Sequence, residues 1–174
     1  QHIDTIMDYS FYWFVAIDDY RLFTGDRTFL AQVYPRMLSL LAFIEGRLDA
    51  AGRPHDRTGD WMFIDWAAEP LHNSGGVTSF ETILLARAYE ATASVGEEIG
   101  ADAKKVAAFR AKASALRAWV LPTFWNEKKG GLMHLLKDDG AMDGQFTRYP
   151  NIFGILHGYF DAAKTGRVVR DVLL

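Results

Sequence analysis

YRLFTGD, residues 20–26, ends one helix and begins another within a single short segment. Tyr20, Leu22 and Phe23 finish an amphipathic run. Gly25 stops it, and the short acidic side chain of Asp26 suits the first cap of a following helix. The pattern recurs as YEATASVG at 89–96 and YFDAAKTGR at 159–167, each read as an aromatic helix meeting another across a glycine turn. Three antiparallel helical hairpins in tandem follow, and the fold class is all-α. A hairpin cannot bury both of its apolar faces alone, so tandem hairpins stack, either as an open solenoid or as a closed toroid. Solenoid repeats keep a tight, fixed period, whereas these hairpins are unequal and separated by long aromatic-rich loops. The spacing therefore favours part of an (α/α) toroid.

Working outward, Ser10 to Thr24 carries Phe11, Phe14, Val15, Leu22 and Phe23 at helical spacing, with Asp18 and Asp19 on another face. Asp26 opens a helix through Phe29, Leu30, Val33, Met37, Leu41 and Ile44, which Pro35 is expected to bend or divide. Asp49 to Gly76 holds Pro54, Gly59, Pro70, Asn73, Ser74, Gly75 and Gly76, a density of breakers that predicts a long loop. Loops of that length in compact domains commonly carry function. Thr78 with Glu81 three residues later is a capping box opening a helix to about Gly96, and Asp102 caps the next, toward Pro122 or Trp125. Residues 130–144 read as irregular, with short strands expected at 132–136 and 145–149. Pro150 then starts a helix through Phe153 and Leu156, and a last helix follows Gly166.

The 174 residues, 49% hydrophobic and 14% aromatic, supply enough apolar side chain for one core. A net charge of -3 with dispersed Lys and Arg gives no electrostatic footprint for nucleic acid or an anionic membrane surface. No apolar run reaches the length of a bilayer-spanning helix, so the chain reads as soluble. The absence of cysteine rules out disulfides and thiolate metal sites and leaves the compartment open. An extracellular or periplasmic location follows if a signal peptide precedes Gln1. The chain starts at Gln1 and finishes on the apolar Val172, Leu173 and Leu174, which suggests a piece of a longer protein.

The most specific local signal is GDWMFIDWAAEP at 59–70, in which Asp-Trp occurs twice, as Asp60–Trp61 and Asp65–Trp66. A sugar presents an apolar C–H face and a ring of hydroxyls, so its site needs flat aromatic walls and carboxylate acceptors, and this pair supplies both. The same residues also fit a plug in which Trp61, Phe63, Ile64 and Trp66 enter the core while the acids cap helices. His72 ends the loop and is a candidate for binding a hydroxyl. Glu81 is explained by its capping box and Glu69 by solvation beside Pro70, while His134 and His157 sit in apolar contexts suited to hydrogen-bonded core histidines. Gln145, Arg148 and Asn151 are candidates for the pocket mouth or for helix capping. No spacing suggests a metal site, and no cofactor is implied.

The succession DYSFYW (8–13), TGDRTFLAQVYPRM (24–37), GDWMFIDW (59–66) and TRYPNIFGILHGYF (147–160) resembles the central part of α-L-rhamnosidase catalytic domains. That resemblance covers nearly the whole chain but only about half of a six-hairpin (α/α) toroid. It implies that 1–174 is a partial toroid lacking N- and C-terminal hairpins, with apolar edges that favour self-association. It also implies inverting hydrolysis of terminal α-L-rhamnosides by a carboxylic acid and a carboxylate acting across the ring. The motifs that carry the family's acid and base are not among these residues, so no catalytic residue is assigned and the chain alone is expected to be inactive. Trp61 corresponds to the family's sugar-stacking tryptophan, and Tyr9 falls near another aromatic position. Two other readings stay open: another toroid carbohydrate enzyme, glucoamylase-like or a disaccharide phosphorylase, and a non-catalytic helical-repeat module that binds protein.

Overall fold

The computed structural model describes residues 7–55, 75–144 and 146–174. Six α-helices lie among them: α1 (Met7–Thr24), α2 (Arg27–Glu45), α3 (Ser79–Ile99), α4 (Ala103–Phe124), α5 (Arg148–Leu156) and α6 (Ala162–Val168). A π-helical turn, Val169–Leu173, continues α6. Four short strands complete the described elements. They are β1 (Gly76–Thr78), β2 (Trp125–Asn126), β3 (Gly131–Leu132) and β4 (Leu135–Lys137), paired as β1 with β4 and β2 with β3, both antiparallel.

Four of the helix starts are explained locally. Asp26 accepts the amides of Thr28 and Phe29 at 3.1 and 3.0 Å, while Tyr20 and Phe29 pack ring on ring at 4.6 Å across the turn. Thr78 accepts the Glu81 amide and donates its hydroxyl to the Glu81 carboxylate at 3.1 Å, the expected capping box. Asp102 and Asp161 cap α4 and α6 through the amides of Lys104 and Lys164.

Several boundaries depart from the sequence reading. The second turn is not at Gly96. Helix α3 runs on to Ile99, and left-handed Gly100 ends it, with the Ala101 amide reaching back to the Gly96 carbonyl. Gly96 is small for another reason: a methyl there would meet the Tyr34 hydroxyl at 2.7 Å and a Val106 methyl at 3.0 Å, where α2 and α4 cross α3. The third turn is likewise displaced, since α5 ends at Leu156 and Gly166 lies inside α6. Pro35 does not divide α2, because the losses of one amide donor are outweighed by Leu30, Val33, Met37, Leu41 and Ile44 buried along one continuous face. The strand expected over 145–149 is not formed at Arg148 and Tyr149, which begin α5. Asp18, expected with Asp19 on a face apart from the apolar residues, is buried.

The odd-numbered helices form an inner layer. Tyr12, Phe80 and Phe153 meet at one level of α1, α3 and α5. Further along the same helices, Asp18 accepts from Arg87, and His157 senses the charge of Arg87. All three inner helices therefore run parallel. Helix α4 runs back against α3, with Arg110 on Glu97 and Arg117 on Glu90, and α2 does so with Tyr34 at Gly96 and Glu45 at Tyr89. The core of Phe11, Phe14, Leu30, Met37, Leu41, Ile44, Phe80, Leu84 and Leu85 fills the space between these layers, and α3, at its centre, is buried on nearly every side. Each large side chain so buried contributes about 1.5–3 kcal/mol. Among the described residues no helix is long and apolar enough to cross a membrane.

Candidate functional site: the N-terminal end of the inner helices

Because α1, α3 and α5 are parallel, the connections that lead into them from the outer helices gather at one end. Both long connections, between α2 and α3 and between α4 and α5, arrive there, and the β1–β4 ladder ties them together through Gly76–Lys137, Val77–Leu136 and Thr78–Leu135. At Gly76 the strands approach so closely that a Cβ would lie 2.2 Å from the Leu136 carbonyl oxygen, so only glycine fits. His55 bridges to Val77 and its Nε2 lies 2.6 Å from Asp138. Below the ladder, the Ser79 hydroxyl donates to the Met133 carbonyl at 2.6 Å and its amide to the His134 carbonyl at 2.9 Å, fixing the start of α3 to the second loop.

Aromatic rings line this end. Tyr9 meets Tyr12 edge-on at 6.0 Å, Tyr12 meets Phe153 at 6.0 Å, Phe153 meets Phe80 at 5.5 Å, and Phe80 meets Tyr149 at 6.1 Å. The result is a continuous belt across α1, α3 and α5. Tyr9, 53% exposed, is its open edge, and Asp8 is fully buried beside it. Burial, reinforced by the charge of Asp8, pushes the Tyr12 hydroxyl up to about 12, so it stays a neutral hydrogen-bonding group.

Polar residues nearby hold the frame. Asn151, a candidate for the pocket mouth, is instead completely buried: its side chain accepts from the Leu132 amide at 2.8 Å and donates to the carbonyls of Leu132 and Thr147. It clamps β3 to α5, and no local pattern marks a partner nineteen residues away. His134 is the expected hydrogen-bonded core histidine, with Nδ1 3.1 Å from the Thr147 hydroxyl. Burial lowers it to about 4, so it is neutral at pH 7. His157 packs flat against Phe153 at 5.9 Å and is likewise lowered to about 4, by burial and then by Arg87 and Arg117. The Glu81 carboxylate accepts from the Thr78 hydroxyl at 3.1 Å, and Arg148 stands exposed at the start of α5. Among the described residues no cluster of three His, Asp or Glu is arranged to hold a metal.

Of the six candidate sugar-binding residues, Tyr9 is placed on the aromatic belt. Asp60, Trp61, Asp65, Trp66 and His72, together with Glu69 and Gln145, lie outside the described residues. Tyr12 and Tyr149 were missed as site candidates. Their signal was the recurrence of tyrosine in DYSFY and TRYP, at the starts of two inner helices.

Parallel inner helices backed by antiparallel outer ones are the arrangement of part of a helical-hairpin toroid. The model of the bacterial α-L-rhamnosidase six-hairpin glycosidase domain matches residues 2–171, and the chain belongs to that family. Among solved structures, the chain is similar to a GH78-family rhamnosidase of Bacillus sp. GL1. There the TM-score is 0.79 and the identity 22%, over 94% of this chain and 17% of that one. It is also similar to a rhamnosidase from Klebsiella oxytoca with rhamnose bound, at TM-score 0.74 and 16% identity, over 97% of this chain and 30% of that one. The chain thus spans less than a third of either. No curated protein matches it.

Proposed function

We propose that this chain is the sugar-pocket portion of an inverting glycoside hydrolase that releases terminal L-rhamnose from glycosides or polysaccharides, with the acid and base supplied by hairpins outside residues 1–174. The observation that carries the reading is the belt from Tyr9 to Tyr149 at the end where both long loops arrive. Edge-on and tilted rings beside the neutral Tyr12 hydroxyl suit a sugar face, and the family match favours rhamnoside over the substrates of other toroids. Trp61, Trp66, Asp60, Asp65 and His72 complete the pocket in this reading, the tryptophans as walls and the acids as hydroxyl acceptors. Leu22, Phe23 and Leu156, 64%, 89% and 67% exposed, mark edges that further hairpins or a second copy would cover.

The test compares the intact parent protein with the chain alone on an aryl α-L-rhamnoside. The parent turns over and the chain does not; hydrolysis by the chain alone overturns the assignment. In the parent, Trp61→Ala lowers kcat/KM about tenfold or more, since a base stacked on an aromatic ring in nucleic-acid sites is worth roughly 1–3 kcal/mol and a sugar face is comparable or weaker. Asp65→Asn lowers activity at constant melting temperature. A lowered melting temperature with activity preserved would instead make Asp65 a structural cap.

A further inference from the structure

A second concavity lies on the outer side of the fold. A pocket of about 630 Å³ opens between the end of α2, residues 48–53, α3 and α4. That size falls within the range of small-molecule sites, roughly 300–1,000 Å³. Tyr89 lies nine residues beyond Phe80 on α3, about 14 Å along the axis, so the pocket is separate from the aromatic belt.

Its chemistry is balanced. Glu45 Oε1 accepts from the Tyr89 hydroxyl at 3.0 Å and from Lys112 Nζ at 2.6 Å, and Lys112 also sits over the Tyr89 ring. Arg53 pairs with Asp49 at 2.7 Å and lies 4.8 Å over the Trp119 ring. Burial, with Glu45 beside it, holds the Tyr89 phenol protonated as a donor. The lining therefore carries two carboxylates and two cations whose charges cancel, next to Trp119, Leu48 and Leu116. An ionic ligand gains little net attraction there. A neutral polyol donates to Glu45 and Asp49, accepts from Lys112 and Arg53, and lays its C–H face on the apolar wall.

We propose that this outer pocket is a second carbohydrate-binding site, taking one neutral sugar residue of a glycan independently of the site at the inner N-termini. Such a site would hold a polymeric substrate on the surface without contributing to bond cleavage. It goes beyond the hydrolase reading and stands without it, because nothing in its chemistry requires turnover.

The test is a titration of the full chain with methyl α-L-rhamnoside, followed by the Trp119 indole N–H resonance, with inorganic phosphate as the ionic control. The expected result is a saturable shift with a dissociation constant on the order of millimolar, fitting one shallow sugar subsite, and no saturable shift with phosphate. Lys112→Ala weakens the sugar about tenfold, the worth of one hydrogen bond to a charged group. Ala115→Gln, which adds bulk at an exposed lining position and spares the core, abolishes the shift in a normally folded chain. The Trp119 signal reports the outer pocket and not turnover, so loss of the hydrolase assignment would not touch this one. Absence of a saturable Trp119 shift, tighter binding of phosphate than of sugar, or an undiminished shift in Ala115→Gln overturns the proposal.

Discussion

At their N-terminal ends α1, α3 and α5 meet through rings, whereas toward the opposite end they meet through charges. The aromatic end leaves Tyr9 open and is bounded by loops. In the charged region Asp18 on α1, only 3% exposed, accepts from Arg21 at 2.7 Å and from Arg87 on α3. Glu90 extends the chain to Arg117 on α4 at 3.2 Å, and Arg117 donates to the His157 carbonyl beyond α5 at 2.7 Å. Four helices are thus locked by one network that fixes their relative heights. Rings can slide and tolerate a ligand face, whereas buried ion pairs demand one geometry. The difference teaches that rigidity and recognition are separated along the same three helices, and that substitutions at the two ends should separate stability from sugar binding.

The strongest way to break this comparison is Arg87→Met, which removes one of the two guanidinium groups from buried Asp18. It should cost about 3 kcal/mol of unfolding free energy, the low end for a broken buried pair because Arg21 remains, with sugar binding by the folded fraction unchanged. Urea denaturation of the variant measures it, and a loss under 1 kcal/mol would mean that the charges do not lock the helices.

Comparable in size is the response to acid. His134 titrates near 6.5 when unfolded and near 4 when folded, so between these values the unfolded chain binds a proton that the folded chain refuses. Its contribution is present in full above pH 6.5 and lost as pH falls toward 4, by about 3 kcal/mol at most. His157 adds to the same window with a smaller effect because it is less buried. His134→Gln, which keeps a partner for Thr147 but cannot protonate, should flatten the pH dependence of the urea midpoint; an unchanged slope would place the acid sensitivity elsewhere.

A weaker effect is expected at the ring end. Tyr9→Ala should lower kcat/KM of the parent enzyme by about threefold to tenfold while shifting the melting temperature little, since the ring is half exposed. If stability falls and kinetics do not, the belt is part of the core and the proposed division fails.

The smallest effects come from two glycines. Gly166→Ala should stabilise by about 0.5–1 kcal/mol, because a methyl inside α6 meets nothing within 4 Å. Gly96→Ala should instead destabilise by about 1 kcal/mol, through collision with Tyr34 and Val106. Thermal denaturation of both variants checks the opposite signs.

Those two glycines also show where the sequence was readable. As residues they look alike, and the local sequence makes a turn of both. Whether a helical glycine ends a helix or admits a neighbour depends on what crosses it, which no local pattern records. The same holds for Asp18, whose spacing placed it on a polar face, and for Asn151, whose loop context suited capping or a pocket mouth. In each case the partner lies on another element, Arg87 on α3 or Leu132 on β3.

By itself the sequence determined the helical content, the first hairpin turn, the caps at Asp26, Thr78 and Asp102, and the kinship carried by four ordered motifs. All of these rest on interactions within a few residues or on side-chain types in succession. Only the tertiary structure decided that α1, α3 and α5 run parallel with their N-termini gathered at one ladder. It alone brought Tyr9, Tyr12, Phe153, Phe80 and Tyr149 into one belt and set buried Asp18 between Arg21 and Arg87 beyond them. The physical reason is that burial and charge pairing depend on which helices become neighbours. That is set by the packing of whole apolar faces, summed over elements far apart in the chain.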